Sequence, residues 1–106
     1  MSKRTLFIDF KLYADNDEAF KQELIELMIE NLRELQQAYG LSVDRNDPEI
    51  FLKACHKVKT TLSMLADSEL DAVVEELKSP GVSPSRVALF DKLTAEIIIS
   101  LSAERS

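Results

Sequence analysis

The stretch ACHKVKTTLSML, residues 54–65, holds the chain's one histidine, His56, with Lys57 and Lys59 within three residues of it. A neutral imidazole is a nucleophile, and an ordinary imidazole pKa of about 6.5 leaves much of it neutral at pH 7. A phosphoryl group carried on such a ring would place its oxygens beside lysine ammonium groups, which make strong charge-assisted contacts to them. Small hydroxyl residues, Thr60 and Ser63, follow at helical spacing. The chemistry open to this stretch is therefore nucleophilic acceptance of an electrophilic, anionic group.

That chemistry needs the ring in solvent. At 100° per residue, Phe51, Cys55, Val58, Leu62 and Leu65 fall within about 80° of one another and define a buried stripe, and His56 lies about 140° from its centre. Thr60 shares the direction of His56 one turn later, Ser63 lies two turns along and Leu52 one turn before. Lys59 flanks the same side and Lys53 borders it. Cys55 and His56 point different ways, so a Cys–His nucleophile pair fails on geometry. Cys55 is expected to be a core thiol.

The elements that must position this face are helices. Residues 16–39 repeat Phe20, Leu24, Leu27, Met28, Leu32, Leu35 and Tyr39 at three and four, with Asp15 or Asn16 as cap and Gly40 as stop. A loop through Ser42 to Asn46 is expected next. Asp47 then caps a helix that has Pro48 at its first position, carries His56 and runs to about Leu65. Asp67 or Ser68 caps a shorter helix with Leu70, Val73, Val74 and Leu77 on one side. Ser83 and Pro84 open the last helix, whose stripe is Val87, Phe90, Thr94, Ile97, Ile98 and Leu101. Residues 5–13 alternate like a strand but have no partner strand, and a short helix or extended segment is expected there. The expected fold is all-α: an antiparallel up-and-down four-helix bundle with a short N-terminal helix or extended segment, forming a single domain over residues 1–106.

Composition narrows the classes. The chain has 106 residues, is 45% hydrophobic, and contains only 2 Gly and 3 Pro, which disfavours sheets joined by tight turns. A formal charge of −6 argues against nucleic acid, whose binding needs a basic face. No apolar run approaches the roughly 18 residues of a membrane span, and no signal-peptide pattern opens the chain. One cysteine cannot form an internal disulfide, and a cytoplasmic location is expected. Metal binding is not expected either. Asp15, Asp17 and Glu26 take the first, third and twelfth places of a calcium loop, but Phe20 replaces the needed glycine and the segment is helical.

The His56 stretch resembles the phospho-acceptor motif of histidine-containing phosphotransfer domains: a His, a spacer, an aliphatic residue, a Lys, commonly a Gly, then small residues and a hydrophobic. His56, Val58, Lys59, Thr61, Ser63 and Leu65 stand at matching places, and the helix before this motif and the two after it fit over residues 8–101. The resemblance implies that His56 accepts and donates a phosphoryl group and that Lys59 neutralises its charge, with Thr60, Ser63 and Lys53 in support. Thr60 stands where the family commonly has Gly, a residue that leaves backbone and partner room near the ring; Thr60 is still small.

It further implies a phosphoryl carrier rather than an enzyme, without a cofactor of its own. Mg²⁺ and the acceptor aspartate would come from a response-regulator receiver domain, and the phosphoryl from a sensor or hybrid histidine kinase. No membrane partner is expected, and the chain is expected to be a monomer. A docking patch is expected from Ile25, Ile29 and Leu52. The alternative is a bundle of this type whose His is no longer used, acting as an adaptor or inhibitor of a kinase or receiver.

Overall fold

Aspartates start most of the helices of this chain. Asp9 accepts from Leu12 N–H, Asp17 from Phe20 N–H, Asp47 from Glu49 N–H, and Asp67 from both Glu69 and Leu70 N–H. Each satisfies a first-turn donor that has no partner inside its helix. The computed structural model describes residues 3–105. They form six helices and no strand: α1 Phe10–Ala14, α2 Glu18–Asp44, α3 Pro48–Lys57, α4 Lys59–Leu65, α5 Ser68–Leu77 and α6 Pro84–Glu104. No helix among the described residues is long and apolar enough to cross a membrane.

Side-chain pairs give the directions. Tyr39 packs on Phe51, Glu34 pairs with Lys57, and Asn31 bonds Thr61, so α2 runs antiparallel to α3 and α4. Tyr39 also meets Phe90, Gln36 bonds Thr94, and Lys21 reaches Glu104, so α2 runs antiparallel to α6 as well. The rings of Tyr39, Phe51 and Phe90 close one end of the core at centroid distances of 5.1–6.2 Å, two of the three contacts edge-on.

Because α2 serves two neighbours, its buried face is wide. Leu24, Ile25, Met28, Ile29, Leu32, Leu35 and Ala38 are all buried, an arc of about 180° at 100° per residue. This corrects the expected docking patch. Ile25 and Ile29 are 0% and 4% exposed, because they lie within about 20° of Gln36 on the wheel, the edge that α6 covers through Thr94. Leu27 and Phe20, expected in the core, are instead 52% and 45% exposed. Asn31 lies on the opposite edge, where it faces α4.

Three boundaries differ from expectation. Asp17, not Asp15 or Asn16, caps α2; those two residues have left-handed backbone angles in the turn that ends α1. Gly40 does not stop α2, which continues to Asp44. A glycine inside a helix costs roughly 0.5–1 kcal/mol, and the packing of the rest of α2 outweighs it. The single helix expected over 48–65 is interrupted at Val58, whose φ of −96° and ψ of 12° leave the helical region.

The N-terminal segment has no regular structure up to Asp9, whose own backbone is extended, and then forms the short helix α1. Arg4 fastens it. Its guanidinium donates to both carboxylate oxygens of Asp67 at 2.6 and 2.9 Å and to Glu69 at 2.8 Å. Its backbone N–H donates to Ser100 Oγ at 2.7 Å, and the same hydroxyl donates back to the Arg4 carbonyl. One residue thus joins the start of α5 to the end of α6.

The Arg4 guanidinium holds the Asp67 carboxyl below the usual carboxylate range, against burial that would raise it. A depressed native pKa stabilises the fold fully above the unfolded value of about 3.9, and that stability is lost as pH falls through the lower native value. Arg4→Ala should lower stability at pH 7 by about 1–3 kcal/mol. Urea unfolding at a series of pH values should show the wild type losing stability more steeply than the variant below about pH 4.

Candidate functional site

The site is built on α3 and α4. Phe51, Ala54, Cys55, Val58, Thr61 and Leu65 are buried, and this stripe leaves His56 exposed, as are Lys53, Lys59, Thr60 and Ser63. The imidazole makes no hydrogen bond to another described residue. Leu52 is half-buried.

The break at Val58 falls two residues after His56. Val58 N–H still donates to Ala54 at 3.0 Å and Leu62 N–H to Val58 at 3.1 Å, so backbone bonds join the two helices across the break. Val58, Thr60 and Thr61 are β-branched and lose side-chain freedom in a helix, so the ladder is weakest here. Asn31 Nδ2 donates to Thr61 Oγ1 at 2.7 Å across the interface with α2. That bond fixes the rotation of α4 beyond the break, and it accounts for a polar residue within the α2 core face.

His56 sits at the edge of an open groove of ≈ 520 Å³. One wall carries Leu52, His56, Lys59 and Ser63; Cys55 and Leu62 lie between the walls; the other wall is α5, with Asp71, Glu75 and Lys78. Lys53 lies on the other side of the ring, in a shallower recess with Glu49, Leu52 and Lys57. Thr60 lines neither recess. The wheel gives the reason: Lys59 and Ser63 are displaced from His56 in one sense, by about 60° and 20°, and Lys53 and Thr60 in the other.

The lysines differ in availability. Lys57 Nζ donates to Glu34 at 2.7 Å, and that bond raises its pKa. Lys53 and Lys59 form no ion pair among the described residues. Cys55 is chemically quiet, since burial pushes its thiol up to about 11, and thiolate is the reactive form. No group of three or more potential metal ligands occurs among the described residues.

The site thus unites His56, Lys59, Ser63 and Leu52 around one groove, keeps Lys53 and Thr60 nearby on the far side, and excludes Ile25 and Ile29. Sequence reasoning missed the opposite wall. Its signal was present, because Asp71, Glu75 and Lys78 fall within about 60° of one another on the exposed side of α5. Nothing in local spacing says that this stripe faces His56.

Comparison with protein-family models, with curated proteins and with solved structures returns no match.

The Asn31–Thr61 bond generates a test. Thr61 is 4% exposed, so Asn31→Ala should leave its hydroxyl without its partner and cost about 1–3 kcal/mol in chemical unfolding. Replacing both partners by apolar residues of similar shape, Asn31→Leu with Thr61→Val, should recover most of that loss. A double variant as unstable as the single one would show that the bond does not hold α4.

Proposed function

We propose that this chain is a phosphorelay carrier: His56 accepts a phosphoryl group on a ring nitrogen and exchanges it with an aspartate of a response-regulator receiver domain. The observation that carries this reading is an exposed imidazole on a face that also presents Lys59 toward the same groove, His56 without a hydrogen bond and Lys59 without an ion pair to any described residue. In this reading α2, α3 with α4, α5 and α6 form an antiparallel up-and-down four-helix bundle. The antiparallel pairs α2 with α3–α4 and α2 with α6 support it.

In the forward step the ring nitrogen attacks phosphorus, the P–O bond of the aspartyl phosphate breaks, and the carboxylate is regenerated. In the reverse step the carboxylate attacks and the P–N bond breaks. This chain contributes position and charge, which is much of what phosphoryl transfer requires. Lys59 faces the incoming oxygens, and Ser63 offers a hydroxyl one turn beyond. The receiver would bring Mg²⁺ and the aspartate, and a sensor or hybrid histidine kinase would supply the phosphoryl. A cytoplasmic, monomeric protein suits that exchange.

The second reading, a bundle whose His is unused and which binds a kinase or receiver as adaptor or inhibitor, draws on Thr60. Its exposed side chain follows His56 by one turn on the same face, where it limits the approach of a partner.

His56→Gln should stay folded, because an exposed ring contributes little packing, and should lose all acid-labile label from a phosphorylated receiver. Label retained by that variant refutes the assignment. Lys59→Ala should slow transfer several-fold to about tenfold, the span between an exposed ion pair and a charge-assisted bond. Lys53→Ala, turned away from the groove, should do less, and equal effects would point to general steering by charge.

Thr60→Gly separates carrier from adaptor. In a carrier it should change the transfer rate only modestly and cost roughly 0.3 kcal/mol of helix stability. A wild-type chain inert toward receivers that becomes labelled as Thr60→Gly would establish the adaptor reading instead.

A further inference from the structure

The α5 wall of the groove carries charges that the transfer reaction leaves unexplained. Asp71, Glu75 and Lys78 face the groove opposite His56, Lys59 and Ser63. Lys78 Nζ is held by Glu75 at 3.1 Å, one turn earlier on the same helix. Both residues line the groove together with Cys55, the residue next to His56, and Lys78 lowers while Glu75 raises the pKa of its thiol. The Asp71 carboxyl stands above its ordinary value, chiefly through burial and then through the negative charges of Asp67 and Glu75. This wall therefore sets two carboxylates and one ammonium along the same groove that His56 lines.

Resting on the carrier reading, we propose that this wall sets how long a phosphoryl group stays on His56: Lys78 holds it, while Asp71 and Glu75 drive it off. A phosphoryl group carries up to two negative charges. Its charge competes with Glu75 for Lys78, and any swing of Lys78 toward it leaves Glu75 unneutralised in the same groove. Repulsion from Glu75 and Asp71 raises the energy of the phosphorylated state relative to the free imidazole. Loss to water is then faster, and transfer to a partner more favourable, than on an all-basic surface. In that loss a water oxygen attacks phosphorus, the P–N bond breaks, inorganic phosphate departs, and the ring returns to its neutral form with proton balance supplied by water.

The test uses the full chain and phosphoramidate as donor. The ring nitrogen attacks phosphorus, the donor's P–N bond breaks, and ammonia leaves. After the donor is removed, phosphohistidine is followed by ³¹P NMR. Asp71→Asn and Glu75→Gln should each lengthen its lifetime by about two- to fivefold, and Lys78→Gln should shorten it by a similar factor, the range open to exposed charges. These differences should shrink at high salt, which screens them, whereas a purely structural effect would persist. Glu75→Gln combined with Lys78→Gln should return close to wild type. Lifetimes unchanged in all three single variants, or moved in one direction in all three, overturn the proposal while leaving His56 as acceptor. If the wild type takes no label that His56→Gln lacks, the carrier reading itself fails and the proposal falls with it.

Discussion

The direction of one side chain depends on burial of the side chains around it. Phe51, Ala54, Cys55, Val58, Thr61 and Leu65 turn inward against the core, and His56, about 140° from the centre of the Phe51–Leu65 stripe, is left pointing outward. Burial alone is a loose constraint, because hydrophobic attraction is non-directional and tolerates rotation of a helix by tens of degrees. The Asn31–Thr61 bond narrows it, since a hydrogen bond weakens steeply with misalignment. That matters here because the break at Val58 interrupts the ladder that would otherwise carry the phase of α3 into α4. Lys59 and Ser63 lie beyond the break, so their alignment with His56 rests on a contact from α2.

The same logic runs through the other polar pairs of the interior. Gln36 Nε2 donates to Thr94 Oγ1 at 2.7 Å, and that hydroxyl donates to the Phe90 carbonyl at 2.9 Å. Asn31 and Gln36 thus mark the two edges of the α2 face, one toward α4 and one toward α6. Each sets the rotation of a neighbour that apolar contacts only hold in place. Arg4 does the corresponding work where α5 begins and α6 ends, tying both to the N-terminal segment, whose Ile8 joins the core. Since α5 is the far wall of the His56 groove, that clasp also steadies one side of the site.

What was legible in the sequence follows from how many neighbours each helix serves. Helix α5 buries a narrow stripe, and Leu70, Val73, Val74 and Leu77 were read correctly from spacing. The exposure of His56 was read in the same way from α3. Asp47 with Pro48 and Ser83 with Pro84 mark helix starts because a first-turn proline, joined at Asp47 by a side-chain cap, acts locally. Helix α2 defeated the wheel because it packs against two partners. A face of about 180° has no single centre, so Ile25 and Ile29 were assigned to the surface and Leu27 and Phe20 to the core. Gly40 misled for a different reason: a local penalty below about 1 kcal/mol was read as a stop, although packing along a 27-residue helix decides the matter. The site was half legible, its near wall from one helix and its far wall only from the way two helices face each other.

Charge at the site is a local matter, and the net value of the chain says little about it. The chain carries −6, yet Lys53, Lys57 and Lys59 surround His56 on a turn and a half of helix. Glu34 neutralises one of them, and the α5 carboxylates oppose another across the groove. A uniformly basic pocket would attract an anion strongly and release it slowly. A surface that mixes ammonium groups with nearby carboxylates keeps the occupied and empty states closer in energy, because each attraction is offset by a repulsion of similar range. For a group that must be taken up and given away, near-balance serves better than affinity. If His56 carries a phosphoryl group as proposed, the acidic residues across the groove keep the site from becoming a trap.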